Sequence, residues 1–413
     1  MKAWFAVLML VLASRAAAAG ESEIARLTWT TPSQDSLDSM PLSGRMGAGA
    51  NVWVQDGSIW LYLAHNGAYD EQGRLLKLGC LRITPSATKL AGERFRQELD
   101  PATGTITVRA GGFEASLWFA GETLVIEAGS AAPEALAIDF ATWRDQPRAG
   151  LHLDVWVSES MNADQVTADE RGFLWFHRNA DHPVDVRGKA QGQGIEAAAA
   201  FDATTRRVSG GAVAVAGGLS ALTNAAVRWQ HWDGKAWTGV TKVQDRHTIT
   251  VALGAALEAQ PAEWRTRADG LLELDARAAA RADERARWAE FWSRSHILID
   301  RQSDIGNRKS DAWLIAQNYT LFRYMLACNR DGELPLLFNG GIFTTDAKPG
   351  RITGNNNDEL PINPSGTTTP DFRRWMGCRF MSQNQRWLGW PTLANGDADL
   401  LGYANAHRDV IVR

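Results

Sequence analysis

Between residues 25 and 255 the chain is divided into short strand-like runs, and that segmentation restricts its fold more than any other feature. Asn51–Val54, Ser58–Leu63, Leu81–Ile83, Thr105–Val108, Glu114–Phe119, Thr123–Ile126, Leu151–Val157, Phe173–His177 and Thr248–Leu253 mostly alternate apolar with polar residues or are rich in β-branched and aromatic ones. Turn signals separate them: Gln55-Asp56-Gly57, Pro101–Gly104, Ala110-Gly111-Gly112 and Ala120-Gly121-Glu122. Runs this short, with a turn about every ten residues, predict an antiparallel β-sandwich rather than alternating βαβ units. No short-period repeat points to a propeller or solenoid.

The texture changes near Gln260. Pro261 to Ser293 is dense in Ala, Arg and Glu, and Leu271, Leu272, Leu274, Ala278, Trp288, Phe291 and Trp292 suit a helix with one buried side. Arg277, Arg281 and Arg285 recur at four-residue spacing and read as a solvated stripe. Asp311 to Cys328 holds no helix breaker and is apolar on more than one side, which predicts a largely buried helix. After a loop with Phe338-Asn339-Gly340-Gly341, another helix is expected beyond Asp371, a candidate N-cap, running through Arg373–Trp390 to Pro391. The expected division is a leader 1–19, a β-sandwich 20–258, a helical linker 259–298 and a second domain 299–413. That fits the two to three domains that 413 residues allow at ~150 residues each.

Met1-Lys2, the apolar run Ala3–Ala13, Ser14-Arg15 and the small residues Ala16–Ala19 follow the order of an export signal, with cleavage expected between Ala17 and Gly20. The run falls short of the ~20 residues that a membrane-spanning helix needs. A secreted or periplasmic protein without a membrane anchor is therefore expected. Cys80, Cys328 and Cys378 are too few for a disulfide scaffold, and spacing leaves a Cys328–Cys378 pair open. With 43 basic against 47 acidic side chains, the net charge of −4 carries no footprint for nucleic acid.

The chain lacks G-x-S-x-G, Walker, H-E-x-x-H and C-x-x-C motifs, and His177 and His182 are poorly spaced as ligands, so neither a metal nor a cofactor is expected. The unusual residue is Trp, with 18 against 14 Phe and 5 Tyr. An indole face accepts the C–H side of a sugar ring, although large sandwiches also bury Trp in their cores. After residue 335, amides, arginines and indoles interleave: Asn339, then Arg373-Arg374-Trp375, then Gln383-Asn384-Gln385-Arg386-Trp387-Leu388-Gly389-Trp390. Amides and Arg hydrogen-bond vicinal hydroxyls while indoles supply apolar contact, so this mixture suits a carbohydrate pocket. On a helix Gln383, Trp387 and Trp390 share one side, flanked by Asn384 and Arg386. The competing reading is a core helix whose amides cap loops. Glycoside hydrolysis needs two carboxyl groups, and spacing singles out no pair among Glu333, Asp346, Asp358, Glu359, Asp371, Asp397 and Asp399.

Several motifs are shared with a known family. Leu27-Thr28-Trp29-x-x-Pro32-Ser33, Ser39-Met40-Pro41-Leu42, Gly47-x-Gly49-x-Asn51-Val52-Trp53-Val54, Leu75-Leu76-Lys77-Leu78-Gly79 and Trp175-Phe176-His177-Arg178-Asn179 resemble the domain of unknown function 5703. That domain occurs in secreted bacterial proteins related to glycoside hydrolase family 95, which join a β-sandwich through a helical linker to an (α/α)6 barrel. Trp288-x-x-Phe291-Trp292-x-x-Ser295, Phe338–Gly341 and Arg374-Trp375 with Gln383–Trp387 look like the linker and the start of that barrel. The resemblance implies a glycosidase of inverting type. Matching on Trp390-Pro391 places Asn384 at the second of two family asparagines and gives it a part in positioning the attacking water, while Ser382 stands where the family has the first. Asn339, Arg374, Trp375, Gln383 and Trp387 are the implied sugar contacts. The implied general acid lies past residue 413, so the chain is expected to be an amino-terminal portion that binds sugar weakly and does not turn it over. A carbohydrate-binding sandwich with Trp platforms and a scaffolding module are the alternatives.

Overall fold

The structure is a computed structural model, and it describes residues 26–70, 75–147, 162–179, 207–229, 232–257, 260–273, 277–297, 311–330, 341–346, 370–371 and 386–401. Its strands, in chain order, are β1 (Leu27–Trp29), β2 (Met40–Ser43), β3 (Ala48–Gln55), β4 (Ser58–Tyr69), β5 (Leu75–Pro85), β6 (Arg96–Asp100), β7 (Thr105–Ala110), β8 (Phe113–Ala120), β9 (Thr123–Glu134), β10 (Leu136–Thr142), β11 (Gln165–Asp169), β12 (Gly172–Arg178), β13 (Arg207–Val215), β14 (Leu219–Trp229), β15 (Trp232–Thr241) and β16 (Gln244–Leu257). They form a nine-stranded sheet, β1-β6-β7-β8-β9-β16-β13-β12-β11, and a seven-stranded sheet, β14-β15-β10-β5-β4-β3-β2. Every described pairing is antiparallel.

The two sheets share one core. Alternation along β4 turns Ile59, Leu61 and Leu63 inward, where they join Leu117 and Phe119 of β8 and Ile249, Val251 and Leu253 of β16. Burying each such side chain contributes ~1.5–3 kcal/mol. The expected runs leave out β1, β2, β6, β10, β11, β13, β14 and β15; in β13 and β14, Arg-Val-Ser-Gly-Gly-Ala-Val-Ala-Val and Leu-Ser-Ala-Leu-Thr-Asn-Ala-Ala-Val are too rich in small residues to read as strands. The run Leu151–Val157 lies outside the described residues, as does the leader.

Four helices follow among the described residues: α1 (Pro261–Leu272), α2 (Arg277–Trp292), α3 (Asp311–Cys328) and α4 (Arg386–Ala394). The segment expected as one helix thus holds two. Its first helix stops where Thr123 Oγ1 donates to Leu271 O at 2.7 Å and Glu273 turns extended. Trp264 fixes α1 to the nine-stranded sheet, its Nε1 donating to Trp175 O at 3.1 Å. Arg281, read as part of a solvated stripe, instead pairs with Glu127 at 2.9 Å and lies over the Trp118 ring, docking α2 on the same sheet. Trp292 Nε1 donates to Pro101 O at 2.9 Å. Helix α3 spans the expected residues; its first half is buried on one side only, at Trp313 and Ala316, with Leu314 and Ile315 facing outward, whereas its second half is largely buried and Tyr324 packs on Trp288 at 5.0 Å. The Asp371 carboxylate is taken by the seven-stranded sheet and the turn after it, as described next, and residues 372–385 of the helix expected after it lie outside the described residues.

Candidate functional site

The strand alternation that turns Leu61 inward sends Trp60 and Tyr62 to the opposite face of the seven-stranded sheet. There Trp53 of β3, Trp60 and Tyr62 of β4, Trp143 just past β10, Trp229 of β14 and Trp232 of β15 close into a ring. Successive ring centroids lie 5.9 Å apart for Trp53–Trp60, 5.1 Å for Trp60–Trp229, 5.5 Å for Trp229–Trp232, 5.1 Å for Trp232–Trp143, 6.0 Å for Trp143–Tyr62 and 4.9 Å for Tyr62–Trp53. Register makes two of these contacts, because Trp53 pairs with Trp60 and Trp229 with Trp232 across their strands. Each aromatic pair adds ~0.5–1.5 kcal/mol beyond the area it buries. Arg82 lies over Trp229 and Trp60 at 4.5 and 5.2 Å from their ring centroids, with its Nε held by Asp139 at 2.8 Å.

All six rings are buried, and later parts of the chain are fastened to two of them, Tyr62 and Trp143. Tyr62 donates its hydroxyl to Asp346, and Ser36 Oγ donates to the same carboxylate at 3.0 Å. Burial pushes the Tyr62 hydroxyl well above its usual pKa, and the nearby Asp346 and Cys80 add to this. Asp371 accepts from the Lys77 backbone N–H at 2.8 Å, from Trp143 Nε1 at 2.6 Å and from Arg144 Nη1 at 2.6 Å. The Lys77 ammonium donates to Pro370 O.

Arg144 also donates to Asp164 at 2.9 Å, and His177 Nδ1 lies 3.0 Å from that carboxylate. Burial alone would raise the Asp164 pKa, but Arg144 and the His177 hydrogen bond outweigh it and hold the carboxyl down at about 2. Burial would likewise lower the Arg144 pKa, yet Asp164 and Asp371 keep it above its usual range. A carboxylate held this firmly as an anion, within a closed network, is suited to holding the fold and not to passing a proton to substrate.

Of the carboxylates singled out in the sequence, Asp397 and Asp399 are also engaged, while Glu333, Asp358 and Glu359 lie outside the described residues. Asp397 takes a two-point pair from Arg323, with Nε to Oδ2 at 2.9 Å and Nη2 to Oδ1 at 3.1 Å, both side chains being fully buried. Asp399 pairs with Arg294 and Arg330. Among the described residues no three of His, Cys, Asp and Glu cluster as metal ligands. Cys80 and Cys328 are buried free thiols, and Cys378 lies outside the described residues.

The exposed chemistry is on α4. Leu388 packs against the core, while Trp387 and Trp390, one turn apart, are each 69% exposed with centroids 6.5 Å apart. Of the expected sugar contacts, Trp387 is therefore on the surface; Asn339, Arg374, Trp375, Gln383 and Asn384 lie outside the described residues. The other described tryptophans are buried or half-buried, so the Trp excess chiefly builds cores. Sequence reasoning missed the aromatic ring and the Arg144–Asp164–His177 network. The available signal was Trp60 and Tyr62 at the positions of β4 that alternation would leave to solvent, a mark of a sheet covered on both faces.

This architecture, two antiparallel sheets with helices laid against them, defines a β-sandwich whose second sheet is fastened to a later segment. A family model matches residues 28–297, and the protein belongs to that family, described as Domain of unknown function (DUF5703). No curated protein matches the sequence. Among solved structures, it is similar to a human-microbiome protein described as a kojibiose phosphorylase, at 12% identity and a TM-score of 0.39 over 78% of this chain and 41% of that one. It is also similar to the family GH92 glycosyl hydrolase ccman5, at 11% identity and 0.38 over 74% and 41%, and to a family GH92 α-mannosidase from Bacteroides thetaiotaomicron, at 9% and 0.36 over 72% and 40%. The chain spans less than half the length of each of these proteins.

Proposed function

We propose that the chain is the sandwich-bearing part of a glycoside-hydrolase-like protein acting on oligo- or polysaccharides with inversion, and that it meets sugar through the 383–390 segment. One observation carries this reading: Trp387 and Trp390 present two indoles to solvent on neighbouring turns of α4, beside the amide- and arginine-rich stretch Gln383–Arg386. Exposed paired indoles are costly unless something apolar visits them, and the C–H face of a pyranose is such a visitor. In the same reading Asn339, Arg374, Trp375 and Gln383 bind hydroxyls and Asn384 positions water. Helices α3 and α4 open an (α/α)6 barrel, the boundaries fall at 258 and 298, and residues 1–19 direct export to the periplasm or the medium. The alternative, a sandwich that binds sugar on Trp platforms, is disfavoured by the burial of the sandwich's described indoles.

Titrating the chain with a panel of neutral oligosaccharides while following indole emission tests this. A saturable change with at least one sugar is expected, because the two exposed indoles dominate the solvent-sensitive signal; a flat response across the panel contradicts the proposal.

A further inference from the structure

Strand β14 ends the seven-stranded sheet and pairs on one side only, with β15. Beyond Leu219, whose N–H donates to Glu170 O at 2.7 Å, its outer backbone edge meets no strand among the described residues. Every residue from Ser220 to Ala226 is exposed, so this stretch stands clear of the sandwich on both faces. Natural edges are blunted with Lys, Pro or inward charges. Ser-Ala-Leu-Thr-Asn-Ala-Ala-Val, residues 220–227, carries none of these. Its one irregularity is the bulge between Ser220 and Thr223, with Ala221 at φ 51°, and the register runs unbroken from Thr223 to Trp229.

We propose that two copies of the chain pair β14 against β14 in antiparallel fashion, joining their seven-stranded sheets across a two-fold axis. A second copy fits this edge better than a foreign peptide for two reasons. A two-fold operation always offers the identical edge in antiparallel orientation, which is the isologous contact closed dimers use. The edge is also uncharged, so self-pairing brings no like charges together; Arg228, just beyond it, is 3.8 Å from Asp233 of its own β15. A pairing centred on Asn224, counted across the bulge, sets Arg228 opposite Leu219 of the partner subunit, away from its own equivalent. Leu222, 39% exposed, gains a neighbour across the axis.

Sedimentation velocity of the full chain over a wide concentration range tests the pairing. The expected result is a species of doubled mass that grows with concentration, and a Thr223→Lys/Ala225→Lys variant that stays a monomer while melting at the wild-type temperature. Both positions are exposed, so folding should survive; if that variant melts early, Asn224→Lys/Ala226→Lys repeats the experiment on the opposite face of the strand. A wild-type chain that remains monomeric at every concentration overturns the proposal, as does a dimer that well-folded lysine variants leave intact.

Discussion

The hydroxyl of Tyr62 lies 2.8 Å from Oδ2 and 3.0 Å from Oδ1 of Asp346, tying the middle of the second sheet to a residue 284 positions later. The bond is one of several through which the chain after residue 340 closes an aromatic face that would otherwise be wet. Removing the acceptor with Asp346→Ala leaves the buried Tyr62 and Ser36 hydroxyls short of a partner, at a cost of ~1–3 kcal/mol. Tyr62→Phe removes the donor and should cost less. In urea unfolding the double variant should lose less than the sum of the two singles, because both act on one bond. Strict additivity would mean that the two residues do not cooperate.

Asp164 makes the fold acid-sensitive. Its folded pKa is depressed from 3.8 to about 2, so its contribution is fully present above the unfolded value and is lost as pH falls through the folded one. The shift corresponds to roughly 2 kcal/mol. Stability should therefore fall between about pH 4 and pH 2, and Asp164→Asn should flatten that part of the profile. The same change leaves Arg144 with one buried carboxylate fewer and should cost ~3–5 kcal/mol near neutrality. Chemical denaturation across pH measures both.

The thiols should be silent in the folded chain. Burial pushes the Cys328 thiol up to about 11, and burial with the neighbouring Asp346 raises that of Cys80. Only the thiolate alkylates. Iodoacetamide at mildly alkaline pH followed by peptide mapping should find both unmodified in native protein and both modified in denaturant. Rapid native labelling of Cys328 would show that α3 is not packed against the sandwich.

Gly104 lies directly against Trp288 of α2. Its φ is 58°, and a Cβ there would lie 2.1 Å from Trp288 Nε1. Gly104→Ala should combine backbone strain with a forced shift of the indole and destabilise by ~1–3 kcal/mol. Limited proteolysis should then cut first within 273–297. A variant as stable and as resistant as the wild type would contradict this docking.

The sequence made the sandwich legible because its turn-bounded runs have a period of two, and made α3 legible because eighteen residues pass without a breaker. The rest depended on distant partners. Nothing near Asp371 in sequence announces its partners Trp143 and Arg144, and Arg281 reads as solvated until Glu127 and Trp118 lie beneath it. The Trp excess was read toward sugar, and most of the described indoles turned out to be core. Neither the ring nor the Asp164 network follows from local spacing, since their members come from strands far apart in the chain. Of the expected site, the exposed Trp387 is the member the described residues contain.

That residue and its neighbour carry the central claim, that carbohydrate is met by α4 while the sandwich indoles hold the fold. The direct test is oligosaccharide-array binding by the wild-type chain, by Trp387→Ala/Trp390→Ala and by Trp60→Ala. Losing stacking on two aromatic faces, at ~0.5–1.5 kcal/mol each by the scale of aromatic pairs, should weaken binding roughly tenfold or more in the double variant, with its melting temperature unchanged. Trp60→Ala should melt earlier yet bind the same sugars when folded. Undiminished binding by the α4 double variant, or its loss only in Trp60→Ala, would contradict the account.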